Sequence, residues 1–374
     1  MVSEVQLCER CVMDTDFPGI EVYPDGTCSY CREYFRRRDL EIKPAVERKQ
    51  ALAAIIDRIR KTGRTRDYDA VIGLSGGMDS TYAAYIARQH GLRLLGVHVD
   101  NGWNTKQAEV NIRATAERLD IELVTIAPPL DSFRDLQTAL LRASVPDAEI
   151  ATDHVVTAAL YQVAHQRRIR YLINGGNFST EGVSPPGGFT HFYRDLRYIR
   201  NIHRRFGRGS MNSLPTMGVL RTVWYRYFRD IRLVRILNYV DYVKEPASKI
   251  LEEEIGWREY GGKHNESVYT RFVQSYLFPK KFGVDKRRLH LSVLVCGGQA
   301  TREEALAELE QPPYSDPELM RSDMDEVLAK LSLTPEELQR IMDLPVRTHR
   351  DYPSNRWLYD LLRYLARRGL RLGE

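Results

Sequence analysis

"GLSGGMDST", residues 73–81, sits between the apolar run 68–72 and a helical pattern that begins at Ser80. A strand, a glycine pair flanked by serines, then a helix turns backbone N–H groups toward one point. The glycines let the backbone approach closely, the helix N-terminus adds its positive end, and the serine hydroxyls add donors. Such a loop holds phosphate. It is not the G-x-x-x-x-G-K-[ST] loop, because no lysine precedes Ser80, and it is not G-x-G-x-x-G. By position, Ser75, Gly76, Gly77, Met78 and Ser80 form the cradle. Asp79 is suited either to orient the loop or to share a Mg2+ that bridges phosphate oxygens.

Working outward, "DAVIGL", "RLLGVHV", "IELVTIA" and "IRYLING" are short apolar runs, and helical patterns separate them. Apolar runs alternating with helices predict an α/β fold, a doubly wound parallel sheet covered on both faces. Ligands in such sheets sit at the carboxyl ends of the strands. This draws in "VDNGWN" at 99–104, with Asp100 and Asn101 expected to line a nucleotide site. "NGGN" at 174–177 joins it, with Gly175, Gly176 and Asn177 leaving room for a phosphate or acceptor. The sheet is expected to extend to about residue 180, with later strands able to join it, and beyond "FSTEGVSPPGGF" (178–189) the pattern turns helical, basic and aromatic, above all over 219–243. A loop-rich stretch is expected over 256–300, then helices starting at Asp316-Pro317 and Thr334-Pro335. The expected division is 1–40, 41–210 and 211–374.

Four of the five cysteines, Cys8, Cys11, Cys28 and Cys31, form C-x2-C, a gap of 16 residues, and C-x2-C. That spacing suits one tetrahedral Zn2+ held by two thiolate knuckles, a closed structural ribbon with no open coordination position. Iron is the alternative metal. Cys296, in the strand-like run "HLSVLVCGG", reads as a small buried thiol. No apolar run approaches the roughly 20 residues of a membrane span. The N-terminus has no signal-peptide pattern, so a cytoplasmic location is expected. The net charge of +5 is mild for 374 residues and makes a nucleic-acid partner unexpected. Basic charge is nonetheless concentrated in "YRDLRYIRNIHRRFGRGS", residues 193–210, where Arg204 and Arg205 are candidates to contact an anionic ligand.

The S-G-G-x-D-S loop resembles the pyrophosphate-binding loop of the ATP pyrophosphatase, or PP-loop, superfamily. The ribbon, the loop, "VDNGWN" and the late block "GWREYGGKHNESVYTRFVQSYLFPKKFGVDKRRLHLS" (256–292) occur here in one order. Together, over residues 7 to about 310, they resemble the N-acetyl sugar amidotransferase family of bacterial surface-polysaccharide biosynthesis. The resemblance implies ATP and Mg2+ as cofactors beside Zn2+. It implies conversion of a sugar acetamido group to an acetamidino group through an O-adenylated intermediate. In the late block, Lys263 and Lys281 are suited to stabilise the α-phosphate transition state, and Lys286, Arg287 and Arg288 to hold acidic sugar or phosphate groups. His264 and Glu266 are candidates for proton handling as ammonia attacks.

The chain carries no recognisable glutaminase: residue 2 is valine, four cysteines are committed to metal, and no glycine stands two residues before Cys296. The nitrogen source is therefore expected outside the chain, and the family resemblance implies a separate glutaminase of the histidine-biosynthesis type, with a cyclase-like companion as an option, together with a nucleotide-linked N-acetyl sugar. The competing readings are a tRNA thiolase or other tRNA-modifying PP-loop enzyme, and a non-catalytic zinc-ribbon protein. Against the first, no spare cysteine pair is available to carry sulfur.

Overall fold

Short parallel strands with apolar residues on both faces need helices above and below them, and that requirement sets the architecture. The structure is a computed structural model and describes residues 5–184, 189–262, 265–314 and 316–367. In chain order the elements are α1 (Ser29–Glu41), α2 (Ala45–Gly63), β1 (Ala70–Gly73), α3 (Met78–Gln89), β2 (Leu94–Val99), α4 (Lys106–Arg118), β3 (Glu122–Ile126), α5 (Leu130–Arg142) and α6 (Ile150–Gln166). Next come β4 (Tyr171–Asn174), α7 (Phe178–Glu181), α8 (Leu196–Phe206), α9 (Val219–Val223), β5 (Arg232–Arg235) and α10 (Lys244–Ile255). The chain ends with α11 (Val268–Phe272), α12 (Lys286–Cys296), α13 (Arg302–Glu310), α14 (Pro317–Leu331), α15 (Pro335–Asp343) and α16 (Arg356–Arg367).

The five strands are parallel in the order β3-β2-β1-β4-β5. Alternate residues serve the two faces. Val71, Leu95, Val97 and Leu172 pack with α5, α6 and α8, whereas Ala70, Ile72, Leu94, Tyr171 and Ile173 pack with α2, α3 and α10. The doubly wound sheet expected from the alternation is present, and its fifth strand comes from beyond residue 210. The strand order runs outward in opposite directions from β1 and from β4, so the loops after these two strands flank the switch point where ligands bind in open α/β sheets.

Two local readings differ from the structure. Residues 256–300 are largely helical, built from α11, a π-helical segment Val273–Phe282 and α12. Cys296 lies at the end of α12 rather than on a strand. A short apolar run such as "HLSVLV" carries no periodicity that separates strand from helix. The start of α12 is fixed instead by Asp285, whose side chain accepts from the Arg287 amide. The helix starts expected at Asp316-Pro317 and Thr334-Pro335 are those of α14 and α15. Among the described residues, no helix is long and apolar enough to cross a membrane.

Candidate active site and cysteine module

The loop after β1 folds as its glycines require. Gly76 has φ +81°, and a Cβ there would stand 2.5 Å from the Ala108 carbonyl oxygen on α4. The Gly76 carbonyl accepts from Trp257 Nε1 at 3.0 Å and Asn111 Nδ2 at 3.3 Å, which pins the loop from the far side. Ser80 Oγ donates to the Gly77 carbonyl at 2.9 Å and lies 3.2 Å from Ser75 Oγ, so both hydroxyls stand together at the N-terminus of α3. Gly175, in the loop after β4, packs backbone to backbone on this turn. A Cβ there would fall 2.5 Å from the Asp79 carbonyl carbon.

Asp79 is held from two distant elements. The Thr180 hydroxyl donates to Oδ2 at 3.2 Å and the Tyr242 hydroxyl donates to Oδ1. Burial and the adjacent Asp79 charge push the Tyr242 pKa up, so the phenol stays protonated and remains a donor. An ionised carboxylate has about four lone-pair sites, so Asp79 keeps capacity for a cation beside these two donors.

The loop opens on a cleft of about 440 Å3. Ser75, Gly77, Met78, Asp79 and Ser80 form one wall, with Gly175 and Gly176 beside them. The lining also includes Arg235, Lys244, Glu259, Tyr260, Glu266 and His290. A Cβ at Gly77 would be 3.1 Å from Glu266 Oε1, Ser75 Oγ and Tyr260 Oη alike, so polar groups from three parts of the chain converge there. Burial, then the Glu266 charge, raises the Tyr260 pKa.

Of the residues singled out in the sequence, the structure brings Ser75, Gly77, Met78, Asp79, Ser80, Gly175, Gly176 and Glu266 to the cleft. Gly76 supports it from behind. Asp100, Asn101 and Asn177 shape neighbouring turns. Asp100 Oδ1 accepts from the Gly102 amide, Asn101 Oδ1 from the Trp103 amide, and Asn177 caps α7 through the Thr180 amide. Lys263 and His264 lie outside the described residues.

The basic residues of the late block are placed elsewhere. Lys281 Nζ donates to the carbonyls of Ile341, Met342 and Leu344 at 2.7–3.0 Å, closing the C-terminus of α15. Arg287 is engaged by Asp285 and the Glu308 and Gln311 carbonyls. Arg288 bridges to Asp14 at 3.0 Å and the Val12 carbonyl at 2.7 Å, bracing the cysteine module. Lys286, Arg204 and Arg205 are not among the residues lining the cleft, and Arg205 stacks over Tyr352. Residues that sequence reasoning missed are Tyr242, Thr180, Tyr260, Arg235, Lys244 and His290. No local pattern marks them, because each reaches the loop only through the fold.

Cys8, Cys11, Cys28 and Cys31 are all buried, and their sulfurs lie within 4.8 Å of one another. The Cys8–Cys31 and Cys11–Cys28 separations are 3.8 and 3.7 Å. A tetrahedron with Zn–S bonds of about 2.3 Å has edges of about 3.8 Å, so the four thiols fit that ion. Backbone N–H groups of Cys11, Met13 and Cys31 point at Cys8, Cys11 and Cys28 sulfurs at 3.4–3.5 Å, as a thiolate knuckle requires. Cys296 Sγ lies 3.7 Å from Cys31 Sγ. One face of α12, through Leu289 and Val293, packs against the module, while His290 of the same helix lines the cleft.

Residues 266–366 match the family model described as LPS biosynthesis protein WbpG-like, C-terminal domain, and residues 69–160 match queuosine biosynthesis protein QueC. A tRNA(Ile)-lysidine synthase from Chlamydia caviae is 32% identical over 142 residues, 35% of this chain and 44% of that protein. A 7-cyano-7-deazaguanine synthase from Nitratiruptor sp. is 41% identical over 61 residues, 16% of this chain and 28% of that protein. The chain thus spans less than half the length of these curated relatives. Among solved structures, NMN synthetase from Francisella tularensis is similar with a TM-score of 0.31 at 17% identity, covering 70% of this chain and 96% of that one. The nucleotide domain is thus similar to QueC and the late region to the WbpG-like family, and these two matches support the resemblance to the N-acetyl sugar amidotransferases of the PP-loop superfamily.

Proposed function

We propose that the protein is an ATP-dependent amidotransferase that converts the acetamido group of an N-acetylated, nucleotide-linked acidic sugar into an acetamidino group, in O-antigen biosynthesis in the cytoplasm. The observation that carries this reading is Glu266. It is the first residue of the WbpG-like region, and its carboxylate reaches the phosphate loop beside Gly77.

An amide carbon resists ammonia because its oxygen is a poor leaving group. Attack of that oxygen on the α-phosphate of ATP forms the O-adenylate and breaks the α–β phosphoanhydride bond. The amides and hydroxyls of the Ser75–Ser80 turn hold the departing pyrophosphate. Ammonia then adds to the activated carbon and AMP leaves, giving the amidine. Asp79, fixed by Thr180 and Tyr242, fits a Mg2+ ion, which would neutralise phosphate charge. Lys244 and Arg235 supply positive charge in the cleft lining, and Glu266 with His290 is suited to take the proton that the incoming ammonia loses.

All five cysteines of the chain lie in or against the metal module, away from the cleft lining. No thiol is therefore placed to hydrolyse glutamine in the cleft, and this supports ammonia delivery by a separate glutaminase. The proposed division of labour is a zinc module over 1–40, nucleotide chemistry over 41–210, and a substrate-facing wall from 211–374.

The test is purified protein with ATP, Mg2+, ammonium and a panel of nucleotide-linked N-acetyl sugars. AMP and pyrophosphate in equal amounts, with a sugar lighter by the difference between O and NH, are expected. A second reading, tRNA modification, is favoured by the QueC and tRNA(Ile)-lysidine synthase similarities in the nucleotide domain. AMP release that depends on tRNA and ignores every sugar would establish it instead.

A further inference from the structure

At the end of the sheet opposite the phosphate loop, the segments that precede β1 and β4 open a cleft of about 390 Å3, lined by Thr65, Arg66, Asp67, Tyr68, Arg167 and Arg168. The two strands are parallel neighbours, with Val71 opposite Leu172, and the segments that lead into them bring Arg66, Arg167 and Arg168 to the same cleft. The adjacent arginines have carboxylate partners: Arg93 pairs with Asp69, and Arg170 and Arg232 share Asp230. Arg66, Arg167 and Arg168 form no ion pair among the described residues.

Arg168 also occupies a costly position. It follows α6 in the left-handed region, φ +59°, where glycine commonly ends a helix, and its amide donates to the His165 carbonyl at 3.1 Å. Burial, with the neighbouring Arg170 and Arg168 charges, lowers the Arg66 pKa, which registers the repulsion among these groups. The C-terminal dipoles of α2 and α6 favour a cation apiece, and three arginines lining one cleft exceed that.

We propose that this cleft is a second anion site, separate from the nucleotide cleft, that takes a small molecule carrying two or more phosphate groups. Guanidinium forks pair with phosphate oxygens in bidentate fashion, and the Thr65 hydroxyl adds a donor. The volume falls in the range of small-molecule pockets. Asp67 in the wall and the mild net charge of +5 disfavour an extended polyanion.

Inorganic tripolyphosphate is the probe, titrated into the full chain by calorimetry without Mg2+. Two binding events are expected. Ser75→Ala with Ser80→Ala weakens one, and Arg66→Gln with Arg168→Gln weakens the other by about tenfold or more while leaving the first intact. Arg167→Glu, an exposed substitution, gives the same loss without threatening the fold, as a thermal melt verifies. A single event that the serine pair abolishes overturns the proposal, as does a second event indifferent to all three arginines. Displacement of the probe by tRNA, with the same arginine dependence, also overturns it by assigning the face to nucleic acid.

Discussion

The loop at Ser75–Ser80 and the cysteine module are both tight turns built on short motifs, yet one is open and the other closed. Ser75, Gly77, Met78, Asp79 and Ser80 line a cleft of about 440 Å3. Around Cys8–Cys31, all four thiols are buried, and Arg288 and Arg302 tie the surrounding carbonyls from outside. An open nest suits a ligand that arrives and leaves, whereas a closed one suits an ion that stays. On the proposed reading the first carries chemistry and the second folding.

The sharpest way to break this contrast is at Asp79. Asp79→Asn should lower ATP-dependent AMP release by about a hundredfold or more, with the melting temperature nearly unchanged. A fall in both together would make the loop a structural element. At the other end, Cys11→Ser should remove bound metal, read by elemental analysis, and lower unfolding stability by about 3 kcal/mol or more. Retention of full stability with metal lost would make the module a functional site.

His154 reports on the core behind the cleft. Its Nδ1 lies 2.7 Å from the Tyr193 carbonyl oxygen, and burial lowers its pKa from 6.5 to about 4. Above pH 6.5 it is neutral folded and unfolded, so it adds no pH dependence. As pH falls from 6.5 to 4 only the unfolded chain gains the proton, and stability should drop by about 3 kcal/mol across that window. Denaturant melts of His154→Gln should show a shallower slope there. The smallest effect is expected at Lys281→Met, which loses the bonds to the end of α15. Stability should fall by about 1–2 kcal/mol with kcat unaltered, whereas a lost kcat would return Lys281 to the active site.

The loop and the metal ligands were legible in the sequence because each is encoded within a few residues: S-G-G-x-D-S between strand and helix, and two C-x2-C pairs. The alternating strands were legible for the same local reason. Tyr242 and Thr180 were not, since they meet Asp79 only after β4 and β5 have joined the sheet, across separations of 163 and 101 residues. The late block misled in a physical way. Lys281 and Arg288 read as free charge, but carbonyls at the end of α15 and around Val12 needed donors, and tertiary structure met that need with these cations. Cys296 was misread because an apolar run of that length fits either a buried strand or a buried helix.

The contact of Gly175 with the Asp79–Ser80 backbone has a wider consequence. With no side chain between them, the floor of the cleft has a width set by covalent geometry, and every ligand meets the same rigid template there. The rest of the lining, from Arg235 at the end of β5 to His290 on α12, is made of side chains carried on a strand, helices and loops. On the proposed reading, changes among those side chains would alter charge, proton handling and acceptor fit, while the backbone contact beneath them stayed the same.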